Sequence, residues 1–173
     1  MNGQPPSSPA PVALTIDVVP ENEAWAVLPD VEELAQRAIA AAVQVSGQSL
    51  LAGAELCVAL SDDVNVRALN LRWRHIDKST NVLSFPAAEV DELAAAPHIG
   101  DIILAFETVE REARDDDKTL ADHTAHLIVH GTLHLLGFDH ETEEEAEAME
   151  ALEILALAGL GIADPYADRE LEK

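Results

Sequence analysis

Three histidines lie close together in the segment HGTLHLLGFDH, at positions 130, 134 and 140. His130 and His134 are four residues apart, so on a helix their side chains lie on one face, one turn apart. Gly137 favours the left-handed backbone that ends many helices, and His140 can then approach the same point from a loop. Three neutral imidazoles with one open coordination position are typical of a catalytic zinc site.

A shared metal ion explains these imidazoles better than separate burial does. Neutral imidazoles that are buried without partners leave polar atoms unsatisfied, whereas one cation satisfies all three rings together. We therefore predict that His130, His134 and His140 bind Zn²⁺, although a site of three histidines also accepts Ni or Cu.

Neighbouring residues allow more than one interpretation. His126 lies one turn before His130 and is either a support for the site or an ordinary hydrogen-bonded core histidine. Asp139 could orient an imidazole through its ring N–H, or it could cap the last helix. His123 is expected to reach the surface.

The spacing HxxxHxxGxxH also occurs in one class of zinc peptidase. Those enzymes carry a glutamate directly after the first histidine, where it acts as the general base. Here that position is Gly131, and the acids Glu141 and 143–145 follow the third histidine, where we expect them to be solvated. Peptide hydrolysis is therefore disfavoured.

Positive charge is concentrated in the stretch VNVRALNLRWRHIDKSTNVLSFP, residues 64–86. It contains Arg67, Arg72, Arg74 and Lys78 against one acid, Asp77. A guanidinium in this stretch could bind a phosphate with two hydrogen bonds. The same residues could instead form a solvated face that pairs with acidic neighbours.

The composition limits the class of protein. The 173 residues carry a formal net charge of −23, which argues against a general nucleic-acid or membrane-surface binder. Apolar residues make up 48%, enough for a core. The single Cys57 cannot form an internal disulfide, fits a reducing compartment and is expected to be a small buried hydrophobe. No secretory signal or membrane span is apparent, so we expect a soluble, cytoplasmic protein.

The elements that must position these residues can be read from periodicity and capping signals. Strands are predicted at 13–19, 54–60, 81–86 and 100–106, and helices at about 30–46, 107–116, 119–136 and 142–160, with a short helix after Ser61 or Asp62. The apolar stripe of that short helix is Val66, Leu69 and Trp73, and residues 107–116 are expected to be solvated.

Strands early and helices late favour an α+β fold, a small mixed four-stranded sheet packed with helices around a three-histidine metal cleft. We expect a flexible Pro/Ser-rich tail at 1–12, a single domain at 13–165 and an acidic C-terminal tail at 166–173.

Three segments resemble the motifs of a known family. HGTLHLLGFDH is similar to the signature of the YbeY endoribonucleases, HGxLHLxGyDH. LNLRWRHIDKSTNVLSFP (69–86) resembles the second motif of that family, and IGDIIL (99–104) the third. The three occur in the order of the family and span residues 69 to 140.

The resemblance implies a metal-dependent, single-strand-specific endoribonuclease that matures ribosomal RNA, notably the 3′ end of the small-subunit RNA, and acts in ribosome quality control. It implies metal ligands at His130, His134 and His140 and a functional arginine at Arg74. The implied partners are single-stranded RNA, ribosomal RNA and the small ribosomal subunit, with ribosomal proteins or an assembly GTPase as further candidates, and no membrane. We expect a monomer. The strong acidity points to a local basic groove, or to guidance by ribosomal proteins.

Two alternatives stay open beside the ribonuclease. One is a ribosome-assembly factor in which zinc is structural and RNA contact is the function. The other is a zinc peptidase that lacks the usual glutamate. An open fourth coordination position would argue against the first, and Gly131 argues against the second.

Overall fold

The computed structural model describes residues 13–167. The predicted tail at 1–12 lies outside the described residues, as do residues 168–173 of the predicted C-terminal tail. The fold is α+β with one mixed four-stranded sheet, as the sequence predicted.

The sheet contains the four predicted strands. They are β1 (Thr15–Pro20), β2 (Glu55–Ser61), β3 (Val82–Pro86) and β4 (His98–Ala105). Their order across the sheet is β1-β2-β4-β3. The first three strands in that order run parallel, and β3 pairs antiparallel with β4 at one edge. The apolar strand β4 therefore lies inside the sheet, as strands with continuous apolar runs usually do.

Five α-helices surround the sheet; the predicted bounds of four agree to within about two residues, and for the short second helix only the start was predicted. They are α1 (Val31–Ser46), α2 (Asp63–Arg74), α3 (Phe106–Asp115), α4 (Leu120–Leu135) and α5 (Glu143–Gly159). Two 3₁₀ helices, Glu23–Val27 and Val90–Ala95, were not predicted. None of the helices in the described part of the chain is long and apolar enough to cross a bilayer.

Side-chain caps define the start of the helices that carry the site. The Thr119 hydroxyl accepts a hydrogen bond from the backbone N–H of Asp122 at the start of α4, and Thr142 caps α5 in the same way. Asp62 caps α2. Such caps satisfy backbone donors that the first helical turn leaves unpaired, so the helices begin at defined residues.

The two faces of the sheet belong to different hydrophobic cores. Leu56, Val58 and Ile102 face the main core, which they share with α1, α4 and α5. Residues that alternate with them in the strands, such as Ile103, pack with Val66 of α2 in a smaller core. Because side chains alternate between the faces of a strand, α4 and α2 lie on opposite faces of the sheet.

Three expectations about burial were wrong. Trp73 is 60% exposed, because the whole last turn of α2, residues 71–74, is exposed and only the earlier turns pack on the sheet. His123 is buried at 6% exposure, since α3 packs against α4 and its Glu112 contacts the imidazole at 2.9 Å. Helix α3 is not wholly solvated, because Val109 lies on a buried face.

Cys57 is half-buried rather than fully buried. Burial, with a smaller contribution from the charge of Asp101, raises the pKa of its thiol. The thiol form is therefore favoured. The charges that act on Cys57 within the described residues are acidic, unlike the electropositive surroundings of a reactive cysteine.

Candidate metal centre

Helix α4 brings His130 and His134 into contact. Their Nε2 atoms lie 3.1 Å apart, and the two rings meet edge to face with centroids 4.6 Å apart. Two nitrogens bound at about 2.0–2.1 Å to one tetrahedral zinc ion lie about 3.3 Å apart. The spacing of these two nitrogens is thus close to that required for a shared ion.

His140 approaches the pair from the loop that follows α4. Gly137 has a φ of +98°, and a Cβ there would clash with Cγ2 of Val90, so both the backbone and the packing favour glycine. The loop places the His140 ring 5.7 Å from His130 and 5.0 Å from His134, centroid to centroid. One ligand atom from each histidine lies within 4.8 Å of the others. The donors fit a single metal ion.

The Nδ1 atoms of the two helical histidines already have partners. His134 Nδ1 donates to the carbonyl oxygen of Phe138 at 3.0 Å, and His130 Nδ1 lies 3.1 Å from a carboxylate oxygen of Glu153. Because a carbonyl and an ionised carboxylate only accept, both protons belong on Nδ1. The Nε2 lone pairs are therefore free to bind a metal.

The environment keeps His134 neutral. Burial, with smaller contributions from the nearby His130 and His140, lowers the pKa of this imidazole to about 4, against the opposing hydrogen bond to Phe138. A neutral imidazole is the form that binds a metal. Near neutral pH this residue needs to lose no proton before it can act as a ligand.

Gly131 packs directly against the sheet. A Cβ at this position would lie 3.0 Å from Oγ of Ser84 and 3.2 Å from Cγ2 of Ile102. A side chain after the first histidine would therefore point into the interface between α4 and the sheet. The position used for the general base in zinc peptidases offers no space for a glutamate here.

An open cavity of about 410 Å³ lies beside His134. It is formed by the end of β3, by the segment after it and by the C-terminal end of α4. Two carboxylates, Glu89 and Glu92, line it, and the described residues around it include no lysine or arginine. Positive charge for an anionic substrate must come from another part of the molecule.

The basic stretch divides into paired and unpaired charges. Arg67 forms a two-point hydrogen bond with Asp77, at 2.7 and 3.2 Å. The Arg72 guanidinium lies 5.1 Å from the centre of the Trp73 ring, within cation–π range. Arg74, the last residue of α2, is exposed. Across residues 13–167, no hydrogen bond, ion pair or ring contact joins Arg74 to the three histidines.

Glu153 is a residue of the site that the sequence reasoning missed. The N-terminal acids of α5 are exposed, as expected, but Glu153 is 1% exposed. Burial alone would raise the pKa of its carboxyl; hydrogen bonds from His126 and His130 outweigh this and lower the pKa to about 2. The missed signal was helical periodicity, because Glu153 lies four residues after Met149 and four before Leu157, both buried.

His126 and Asp139, whose roles the sequence left open, have defined hydrogen-bond partners in the structure. His126 lies 2.8 Å from Glu153 through its Nε2 atom, so it contacts a carboxylate that in turn contacts His130. Asp139 accepts a hydrogen bond from the backbone N–H of His140 at 2.8 Å, and Thr142 caps α5. Asp139 thus fixes the backbone at His140, which neither interpretation had included.

Comparison with known proteins identifies relatives along most of the chain. The profile of the family described as Endoribonuclease YbeY matches residues 20–161. A protein of Azorhizobium caulinodans named Endoribonuclease YbeY is 54% identical over 154 residues, which cover 89% of this chain and 97% of that protein. A protein of the same name from a Bradyrhizobium species is 48% identical over 170 residues, covering 95% of this chain and 98% of that protein.

A solved structure has a similar fold. The solution structure of TM1509 from Thermotoga maritima matches with a TM-score of 0.54. The match covers 84% of this chain and 91% of that one, at 24% identity. At this identity the likeness concerns the fold alone.

Proposed function

Because the chain belongs to the YbeY family of endoribonucleases, we propose that it is a metal-dependent endoribonuclease that cleaves single-stranded RNA. Its substrate in the cell is ribosomal RNA, at the 3′ end of the small-subunit RNA, and the reaction serves rRNA maturation and ribosome quality control. The protein acts in the cytoplasm as a monomer on the small ribosomal subunit, with ribosomal proteins or an assembly GTPase as partners.

The observation that supports the catalytic part is the cluster of three histidine donors. Within residues 13–167 the group that could hold a metal consists of His130, His134 and His140. His140 is exposed, and the cavity beside His134 is open to solvent. Three protein ligands leave a coordination position for water or substrate, which is the arrangement of catalytic rather than structural zinc sites.

We propose Zn²⁺ as the ion and His130, His134 and His140 as its ligands, with Ni or Cu as chemical alternatives. When bound, such an ion polarises a phosphoryl oxygen and acidifies a water molecule. The chain itself holds the ligands: the carbonyl of Phe138 orients the His134 ring, and Asp139 fixes the backbone at His140.

The end of α2 is the proposed contact for the substrate backbone. Arg74 has no partner within the described residues, so its guanidinium is available to bind a phosphate with two hydrogen bonds. Beside it, the exposed Trp73 ring with Arg72 near its face offers a surface on which an unpaired base can stack. Preference for single strands would follow, because paired bases do not expose their faces.

The alternatives are less well supported. A structural zinc site would normally be closed by a fourth cysteine or histidine, which the group of three does not contain. A peptidase would need a general base after His130, and Gly131 is packed against Ser84 and Ile102.

The proposal is tested by single-turnover cleavage of matched single-stranded and hairpin RNAs. Protein stripped of metal should be inactive, addition of Zn²⁺ should restore cleavage, and the single-stranded RNA should be cut faster. The His130→Ala/His134→Ala double variant should lose both metal content and cleavage while it remains folded. Full metal content in that variant, or cleavage by metal-free protein, would refute the metal centre. Cleavage of casein by the wild type at rates comparable with RNA would favour the peptidase.

A further inference from the structure

Glu153 stands out among the acidic residues of this chain. Of the carboxylates within residues 13–167 it is the one that is fully buried, at 1% exposure. The residues one turn before and one turn after it on α5, Met149 and Leu157, are apolar and also buried. Removing a carboxylate from water is unfavourable unless hydrogen bonds and charge compensate it. Its retention in the core therefore calls for an explanation from its partners.

Three side chains surround the carboxylate. Its Oε1 atom lies 3.1 Å from Nδ1 of His130 and 2.8 Å from Nε2 of His126. The hydroxyl of Tyr166 lies 3.1 Å from both carboxylate oxygens. Tyr166 follows α5 in the chain, and its ring packs edge-on against His126 at 5.5 Å. Glu153 is thus contacted by His126, Tyr166 and His130, and the two imidazoles share its Oε1 atom.

The geometry, resting on the metal centre of the proposed function, points to Glu153 as a positioning residue: we propose that its carboxylate holds the Nδ1 proton of His130 and so directs the Nε2 lone pair to the metal ion. His126 and Tyr166 fix the carboxylate in place. A carboxylate behind a ligating imidazole fixes its tautomer and orientation and makes the imidazole a stronger donor.

The contrast between the two helical histidines supports a specific role for this charge. His134 meets the neutral carbonyl of Phe138, which belongs to the loop next to it in the chain. His130 meets a carboxylate from a different helix, 23 residues away. A buried negative charge beside His130 is compensated when a cation binds on the other side of the ring, whereas a purely structural contact could be made by a neutral group.

The test measures metal binding rather than catalysis. Zn²⁺ affinity is obtained by competition with a chromophoric chelator, and the visible absorption spectrum of the Co²⁺-substituted protein reports the ligand geometry. Glu153→Gln keeps the size of the side chain and removes its charge. We expect it to weaken Zn²⁺ binding by about 10–100-fold and to alter the Co²⁺ spectrum. Glu147→Gln makes the same change at an exposed position of the same helix and should leave both readouts unchanged.

A wild-type Zn²⁺ affinity and Co²⁺ spectrum in folded Glu153→Gln would overturn the positioning role and leave the metal centre intact. Failure of the wild-type protein to bind Zn²⁺ would instead overturn the metal centre, and this proposal with it. If Glu153→Gln does not fold, Tyr166→Phe decides, because it removes one hydrogen bond to the carboxylate and keeps the ring. Weaker Zn²⁺ binding by Tyr166→Phe supports the role, and unchanged binding overturns it.

Discussion

The two histidines of α4 direct the same ring nitrogen toward one point because each has its other nitrogen occupied. The carbonyl of Phe138 and the carboxylate of Glu153 accept hydrogen bonds from the two Nδ1–H groups, and the Nε2 atoms lie 3.1 Å apart. The arginines of the basic stretch also differ in whether their side chains already have a partner. Arg67 is engaged by Asp77, whereas Arg74 has no ion pair within the described residues. Availability of a guanidinium, rather than its presence in the motif, decides which arginine can bind substrate.

Arg74→Ala is expected to reduce kcat/KM on single-stranded RNA by roughly 10²–10³, equivalent to about 2.7–4 kcal/mol for the loss of one preorganised donor to the transition state. Arg74→Lys should recover little, because a point charge cannot reproduce a planar fork with two donors. The measurement is steady-state cleavage at fixed metal concentration. Thermal melting should show wild-type stability, since Arg74 makes no hydrogen bond or ion pair within residues 13–167 that would be lost.

The matched control for Arg74 is Arg67→Ala. Arg67 is on the same helix and carries the same charge, but its ion pair with Asp77 is exposed on both sides and contributes little to stability. It should change kcat/KM much less. Near-wild-type cleavage by Arg74→Ala, with metal bound, would mean that another group binds the phosphate.

Among the secondary-structure elements, helix α4 has two roles, since one of its faces carries two histidines and another packs against the sheet. The close approach is possible at Gly131, where a Cβ would meet Ser84 and Ile102 at 3.0 and 3.2 Å. The same glycine stands where a zinc peptidase has its base. One packing requirement therefore positions the histidines and removes one kind of chemistry.

Gly131→Glu should destabilise the fold by at least about 1–3 kcal/mol, the usual range for overpacking, and should not produce peptidase activity. Gly131→Ala should have a smaller effect, because the better helix propensity of alanine, about 0.8–1 kcal/mol, offsets part of the crowding. Denaturant unfolding measures both. Gly159→Ala, where a Cβ meets nothing within 4 Å, should not destabilise. A Gly131→Glu variant of wild-type stability that cleaves peptides would contradict this account of α4.

The exposed end of α2 gives a second prediction at this level. Trp73→Ala should raise KM for single-stranded RNA by about 5- to 150-fold, because stacking of one base on an aromatic ring contributes about 1–3 kcal/mol. Stability should hardly change, since the ring is 60% exposed. Leu71→Ala, at 48% exposure on the same turn, is the control. Equal effects of the two variants would show that Trp73 contributes only apolar area.

At the scale of the whole molecule, the distribution of charge is uneven. The net charge is −23, and the cavity beside His134 carries Glu89 and Glu92. Three cations of the basic stretch have no carboxylate partner among the described residues, and they lie at or just after the end of α2: Arg72, Arg74 and Lys78. An acidic body is expected to repel RNA in general, and a small basic area would restrict the proposed RNA contact to a few phosphates.

The affinity for single-stranded RNA should therefore depend only weakly on salt. Three phosphate contacts predict a slope of about −2 for the logarithm of the binding constant against that of salt concentration, at about −0.7 per contact for single strands. Fluorescence anisotropy with a non-cleavable RNA measures it, and Arg74→Ala should reduce the slope by about 0.7. A slope steeper than about −4 would reveal a larger basic surface than the end of α2 provides.

Local geometry explains what the sequence by itself determined. The one-turn spacing of His130 and His134, the helix end at Gly137 and the capping threonine at 119 each depend on a few consecutive residues, and a helix has the same geometry in any protein. The strands and their alternation were predictable for the same reason. The α+β class and the three-histidine cluster followed from these local features together.

Only the tertiary structure decided which side chains are covered and by what. Glu153 is buried because α5 packs beside α4, His123 because α3 covers it, and Trp73 is exposed because the last turn of α2 extends away from the core. The strand order β1-β2-β4-β3 was likewise decided by the tertiary structure alone. Each depends on contacts between segments far apart in the chain, and burial changes the chemistry of a carboxylate or imidazole in ways that its sequence neighbours do not encode.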